Sequence, residues 1–183
     1  ASMAAADAAA HLWPQWTAAA HRGSVFMVVS IVVIFGGRIT PMFTRNALRG
    51  IAEVRGRTRL DDAAIASVLL VAPLAMVPAE TAPAQAMICA IVGATAAGLN
   101  LLRMRGWASR YTVNKPLLWV LHVGYAWVPV SLLCWALASV RPDLLRPSVA
   151  MHAATAGVLG TFTLGMMSRV SLGHTARPLV APK

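Results

Sequence analysis

The sequence predicts an all-α protein: a polytopic integral membrane bundle of about five transmembrane helices, with the N-terminus outside and the C-terminus cytoplasmic. Hydrophobic residues make up 58% of the 183 positions and charged residues only 12%. Mean hydropathy is +0.65. Apolar stretches recur at close to the roughly 20 residues that an α-helix needs to cross hydrocarbon at about 1.5 Å per residue. A soluble fold could not solvate such a chain.

The apolar runs place helices at about 18–41, 63–79, 84–102, 117–140 and 149–170, so that 1–183 forms a single transmembrane domain. The second run is the shortest. Pro73 and Pro129 fall inside the second and fourth helices, where each removes an N–H and frees the carbonyl four residues earlier. Residues 1–17 lack a basic n-region followed by a short apolar core, so no signal peptide is expected there.

The net charge of +10 would suit nucleic acid if it lay on one soluble face. The Lys and Arg residues instead punctuate the apolar runs, which points to topology and anionic headgroups rather than to nucleic acid. Arg45, Arg49, Arg55, Arg57 and Arg59 precede the second helix, and Arg103, Arg105, Arg110 and Lys115 follow the third. Arg169, Arg177 and Lys183 follow the fifth, whereas the opposite side holds only Arg22, Arg141 and Arg146. The positive-inside rule then puts the basic loops in the cytoplasm.

The acidic residues Asp7, Glu53, Asp61, Asp62, Glu80 and Asp143 all fall in expected loops or termini. A carboxylate-driven transporter needs buried carboxylates, so that class is disfavoured. Cys89 and Cys134 lie inside apolar runs and form no disulfide framework. The scattered methionines read as packing residues, and several of the tryptophans sit near helix ends as an aromatic belt requires. No phosphate loop, catalytic carboxylate pair or nucleophile elbow appears.

Histidine is the type that carries chemistry. His21 and His152 are each expected about one turn inside the outer end of a helix, at matching depth. Two axial ligands of one haem, or two ligands of one copper ion, require that arrangement; interfacial or core histidines are the plain alternative. Below His152, Ala156 and Gly160 leave a bare helical face against which a porphyrin can lie, and Ala153, Gly157, Thr161 and Gly165 form a second small-residue ladder suited to helix packing. His122, in the fourth helix, and His174, in the tail, are candidates for an inner site, while His11 reads as solvated. Arg38, at the end of the first helix, is expected roughly 24 Å below Arg22. Arg38 and Arg169 either hold a propionate or phosphate or snorkel to the headgroups.

Three stretches resemble the NnrS family of bacterial polytopic membrane proteins. They are Gly36-Gly-Arg-Ile-Thr-Pro-Met-Phe-Thr44, Leu117-Leu-Trp-Val-Leu-His-Val-Gly-Tyr-Ala-Trp127, and His152 together with Gly165-Met-Met-Ser-Arg-Val-Ser-Leu-Gly-His-Thr-Ala-Arg-Pro-Leu179. The resemblance implies a haem- and copper-associated protein of nitric oxide metabolism or nitrosative-stress defence in the bacterial inner membrane. It makes His21, His122, His152, His174, Arg38, Arg169 and Arg177 candidate cofactor or metal positions. Ala176 stands where the family more often has Gly. Family members look like roughly twelve-helix proteins with a His-rich first half, so the resemblance also implies a second membrane half or a homo-oligomer as partner. The leading expectation is haem, of b type, bound by His152 and His21, with copper as a further cofactor and nitric oxide reaching the iron through lipid. A haem enzyme that reduces nitric oxide or carries electrons from quinol, and a non-enzymatic metal-handling scaffold, are the alternatives.

Overall fold

The computed structural model describes residues 2–55, 58–77 and 83–175, with side chains at Pro14 and from Trp16 onward. Arg177, the His11 side chain, Arg57, Glu80 and the end of the expected second helix lie outside the described residues. The described regular structure is entirely helical: α1 (Ser2–Ala47), α2 (Arg59–Ala75), α3 (Pro83–Arg105), a 3₁₀ turn (Ser109–Thr112) and α4 (Pro116–Val140). A last helix then runs continuously over Pro147–His174. It consists of α5 (Pro147–His152), a π-helical segment (Ala153–Thr161) and α6 (Phe162–His174).

Four of these helices are long and apolar enough to cross a membrane: Trp16–Ala47 within α1, α3, α4 and the last helix. With 17 residues, α2 sits at the lower limit of the length that crosses hydrocarbon. Its start also differs from the expectation, because Thr58 and Asp61 close a capping box. The Thr58 N–H donates to Asp61 Oδ2 at 2.7 Å and the Thr58 hydroxyl donates to it at 2.9 Å. Asp61 and Asp62, expected in a loop, therefore occupy the first turn of a helix. The first helix is longer than its apolar run at both ends, since the Ala-rich lead and residues 42–47 stay helical.

Helix α4 is the hub, packing against α1, α3 and the last helix, while α2 fills the space between α1 and α3. Large apolar side chains cover the outside; Phe35, Leu70, Ile91 and Leu164 are 59% to 66% exposed, as a lipid-compatible surface requires. In lipid the burial of apolar side chains no longer drives helices together, so close backbone approach has to hold them. Gly124 of α4 supplies it: a Cβ there would meet the Phe162 Cα at 2.8 Å and its N at 2.9 Å. Of the expected ladder, Gly157 and Gly165 face α4, against Trp127 and against Val120 and Leu121. Ala156 is exposed and a Cβ on Gly160 would meet only the Thr155 carbonyl oxygen, so that second ladder faces away from the bundle.

Because the atoms facing Gly124 are backbone and cannot swing aside, Gly124→Ala should lower stability by about 1–3 kcal/mol. Gly98→Ala, which meets nothing within 4 Å, should leave it unchanged or raise it by about 0.4–1 kcal/mol. Thermal unfolding of the two variants in one detergent checks both values.

Candidate functional site

The polar and histidine side chains gather at two levels. At one end, α1 brings His21 beside the first turn of the last helix. There His21, Arg22, Pro147, Ser148 and Met151 line an open cleft of about 670 Å³. His152 lies on the next turn and is not among the residues lining that cleft; it is exposed and has its Nδ1 2.8 Å from the Ser148 carbonyl oxygen. A carbonyl only accepts, so Nδ1 carries the proton and donates, and Nε2 is the nitrogen with a lone pair. Metal-ligating histidines are commonly oriented in this way. The residues below it on the exposed side, Thr155, Ala156 and Gly160, add little bulk.

His122 has a different environment. It is buried at the other end, with Nε2 2.8 Å from Thr44 Oγ1 and Nδ1 2.8 Å from Ser109 Oγ. The Thr44 hydroxyl spends its proton on the Thr40 carbonyl at 2.7 Å. It therefore accepts from His122 Nε2–H, and Ser109 donates to Nδ1. Both ring nitrogens are satisfied, and Trp107 approaches the ring edge-on with centroids 6.0 Å apart. Ser109 reaches its place through Ala108, which adopts the left-handed conformation at φ 53°. The inner pairing of His122 with His174 is not assembled: His122 is engaged by hydroxyls, and His174 is exposed at the end of α6. Among the described residues no group of three or more His, Cys, Asp or Glu side chains comes together around a metal position.

The arginines separate as well. Arg169 stacks over Phe43 of α1, its guanidinium carbon 4.3 Å from the ring centroid. Arg38 is exposed and lines an inner cavity. It lies 17 residues beyond His21 on the same helix, about 26 Å away, so the two cannot act on one small group.

Sequence reasoning passed over the most elaborate polar cluster. Arg103, expected in a loop, ends α3 and is buried. Its Nε donates to Asp61 Oδ1 at 2.7 Å, and its Nη1 donates to the Tyr125 hydroxyl at 2.7 Å and to the Val33 carbonyl at 3.1 Å. Tyr125 passes its proton to Asn100 Oδ1 at 2.7 Å, and Asn100 donates to the Ala96 carbonyl at 2.9 Å. The Trp107 ring packs edge-on against Tyr125 at 4.6 Å. Gly37 leaves room for the guanidinium, since a Cβ there would lie 2.3 Å from it. One signal was legible, the Thr58-x-x-Asp61 capping pattern. Nothing local marks Arg103.

The fold and these sites define an all-helical, multi-pass membrane protein with a buried polar core at one end and an exposed histidine at the other. The family model described as NnrS protein matches residues 1–183, and the chain belongs to the NnrS family. Membership points to a nitric-oxide-related membrane protein. No curated protein and no solved structure matches the chain.

Burial alone would raise the Asp61 pKa, but hydrogen bonds from the Thr58 N–H, Arg103 and the Thr58 hydroxyl outweigh it and hold the carboxyl below its ordinary 3.8. A lowered folded value means that the carboxylate's contribution is complete above about pH 4 and is lost as pH falls through the folded value. Thermal midpoints measured on acidification should therefore fall more steeply for the wild type than for Asp61→Asn. At neutral pH, Arg103→Met strands a carboxylate and should cost about 3–5 kcal/mol, most of it recovered by adding Asp61→Leu.

Proposed function

We propose that the chain is a haem-associated inner-membrane protein of nitric oxide metabolism or nitrosative-stress defence, with His152 and His21 as the histidines that hold the haem. The observation that carries this is the tautomer of His152. Its Nδ1–H is fixed on the Ser148 carbonyl, which turns Nε2 into a ready ligand. The donor chemistry suits haem iron, and the thinly covered face formed by Ala156 and Gly160 suits a flat macrocycle. His21, which lines the outer cleft with Ser148 and Met151, is the second candidate ligand, and copper is the alternative metal for the two imidazoles. When bound by both histidines the haem would supply electron exchange at its iron, and nitric oxide could coordinate there only if one of the two, His21 or His152, gave up its position.

In this reading His122 is a positioning residue rather than a ligand, because binding a metal would cost it one of two buried hydrogen bonds. Arg169, stacked on Phe43, and His174, exposed at the end of α6, read as headgroup-level residues. The open face beside His152 is where a second membrane half or another copy of the chain would complete the site. The Lys and Arg distribution supports an orientation in a bacterial inner membrane with the His21 end outside and the Arg103 end cytoplasmic.

Reduced-minus-oxidised spectra of purified protein, expressed with haem supplied, test the assignment. His152→Ala should lose the haem signal or shift it, whereas His122→Ala should retain it. An unchanged spectrum in His152→Ala overturns the ligand assignment. Orientation is checked separately in a cysteine-free background. A membrane-impermeant thiol reagent applied to intact spheroplasts should label a cysteine at Pro142 and spare one at Gly50.

A further inference from the structure

At the inner end, the exit of α1, the start of α2 and the end of α3 enclose a cavity of about 200 Å³. Arg38, Arg45, Arg55 and Arg103 line it, against the single carboxylate of Asp61. That carboxylate is already committed to Arg103 and to Thr58. Arg38, Arg45 and Arg55 come from two different segments of chain, and among the described residues none of them makes an ion pair. Three arginines thus line one concavity whose single carboxylate is already paired, and an anion there would complement their charge. Pro41, Met42, Ile65 and Trp107 give the same cavity apolar walls.

We infer that this cavity binds a phosphate group through Arg38, Arg45 and Arg55. Guanidinium forks match phosphate oxygens in pairs, which a carboxylate-lined or neutral cavity could not do. The volume falls below the roughly 300–1,000 Å³ of pockets that enclose drug-sized ligands, so the space fits one anionic headgroup and not a macrocycle. The site is therefore independent of the haem reading: it lies about 26 Å from His21 along α1 and contains no histidine. The phosphate can belong to an anionic phospholipid, with its glycerol side against Met42 and Ile65, or to a free phosphate.

The test uses the full chain, delipidated in a mild zwitterionic detergent, with no haem readout. Native mass spectrometry and thermal stability are recorded with phosphatidylglycerol, with phosphatidylcholine and with inorganic phosphate. Phosphatidylglycerol retained at one per chain, with phosphatidylcholine not retained, assigns the site to lipid; a stabilising shift with inorganic phosphate alone assigns it to a soluble anion. In either case Arg38→Gln and Arg45→Gln should each weaken binding about tenfold, and the Arg38→Lys/Arg45→Lys pair should recover part of it. Arg49→Gln, at the same end but outside the cavity, should leave it unchanged. Absence of binding by both phosphate sources, or binding that is equal in the Gln variants and the wild type, overturns the inference. The three arginines are exposed, so their loss leaves the fold intact, which circular dichroism of each variant verifies.

Discussion

The Arg103 end of the bundle is organised around one buried cation. A buried guanidinium needs hydrogen-bond partners supplied by the protein. Arg103 does so by drawing on three other helices at once: the carboxylate of Asp61 on α2, the hydroxyl of Tyr125 on α4 and a backbone carbonyl of α1. The helix positions that this fixes are not interchangeable. Gly37 must be small where α1 passes the guanidinium, and α2 must begin at Arg59 for Asp61 to point inward. Burying an ion pair is weak evidence for added stability, because desolvation offsets the attraction. Its effect here is on geometry: neither α2 nor α4 can slide past α3 without stranding a charge.

The His152 end is held differently. There the contacts are steric, and the one exposed histidine with a defined tautomer stands on a surface that the bundle leaves uncovered. Two regimes thus share one set of helices. A polar network locks the end that carries most of the arginines, and a small-residue surface keeps the other end open. Along α1 the two are about 26 Å apart, which makes it straightforward to perturb one without the other.

Much of this was legible in the sequence, and what was not has a physical reason. Long apolar runs located α3 and α4 to within a few residues, because hydropathy reports what lipid sees. The start of α2 was missed although Thr58 and Asp61 advertise it, since a window that searches for apolar residues discards the polar first turn. The burial of Arg103 was not accessible, because its partners lie 42, 70 and 22 residues away in sequence. His122 was a candidate ligand from its depth in the fourth helix and from the family resemblance. Only the hydroxyls of Thr44 and Ser109, from distant segments, show that its nitrogens are already used.

The π-helical segment Ala153–Thr161 has a consequence for how the last helix can change. A wide turn of i→i+5 bonds holds more residues per turn than an α-helix does. The helix thus stores surplus chain midway along its length, between the turn bearing His152 and the turn bearing Phe162. Tightening that segment into ordinary α-turns would rotate the two halves against each other about their common axis, turning His152 relative to α4 while Phe162 stays wedged against Gly124. The last helix is in this sense a screw thread with slack in it, and His152, on the turn before the slack, is the residue whose direction it would alter.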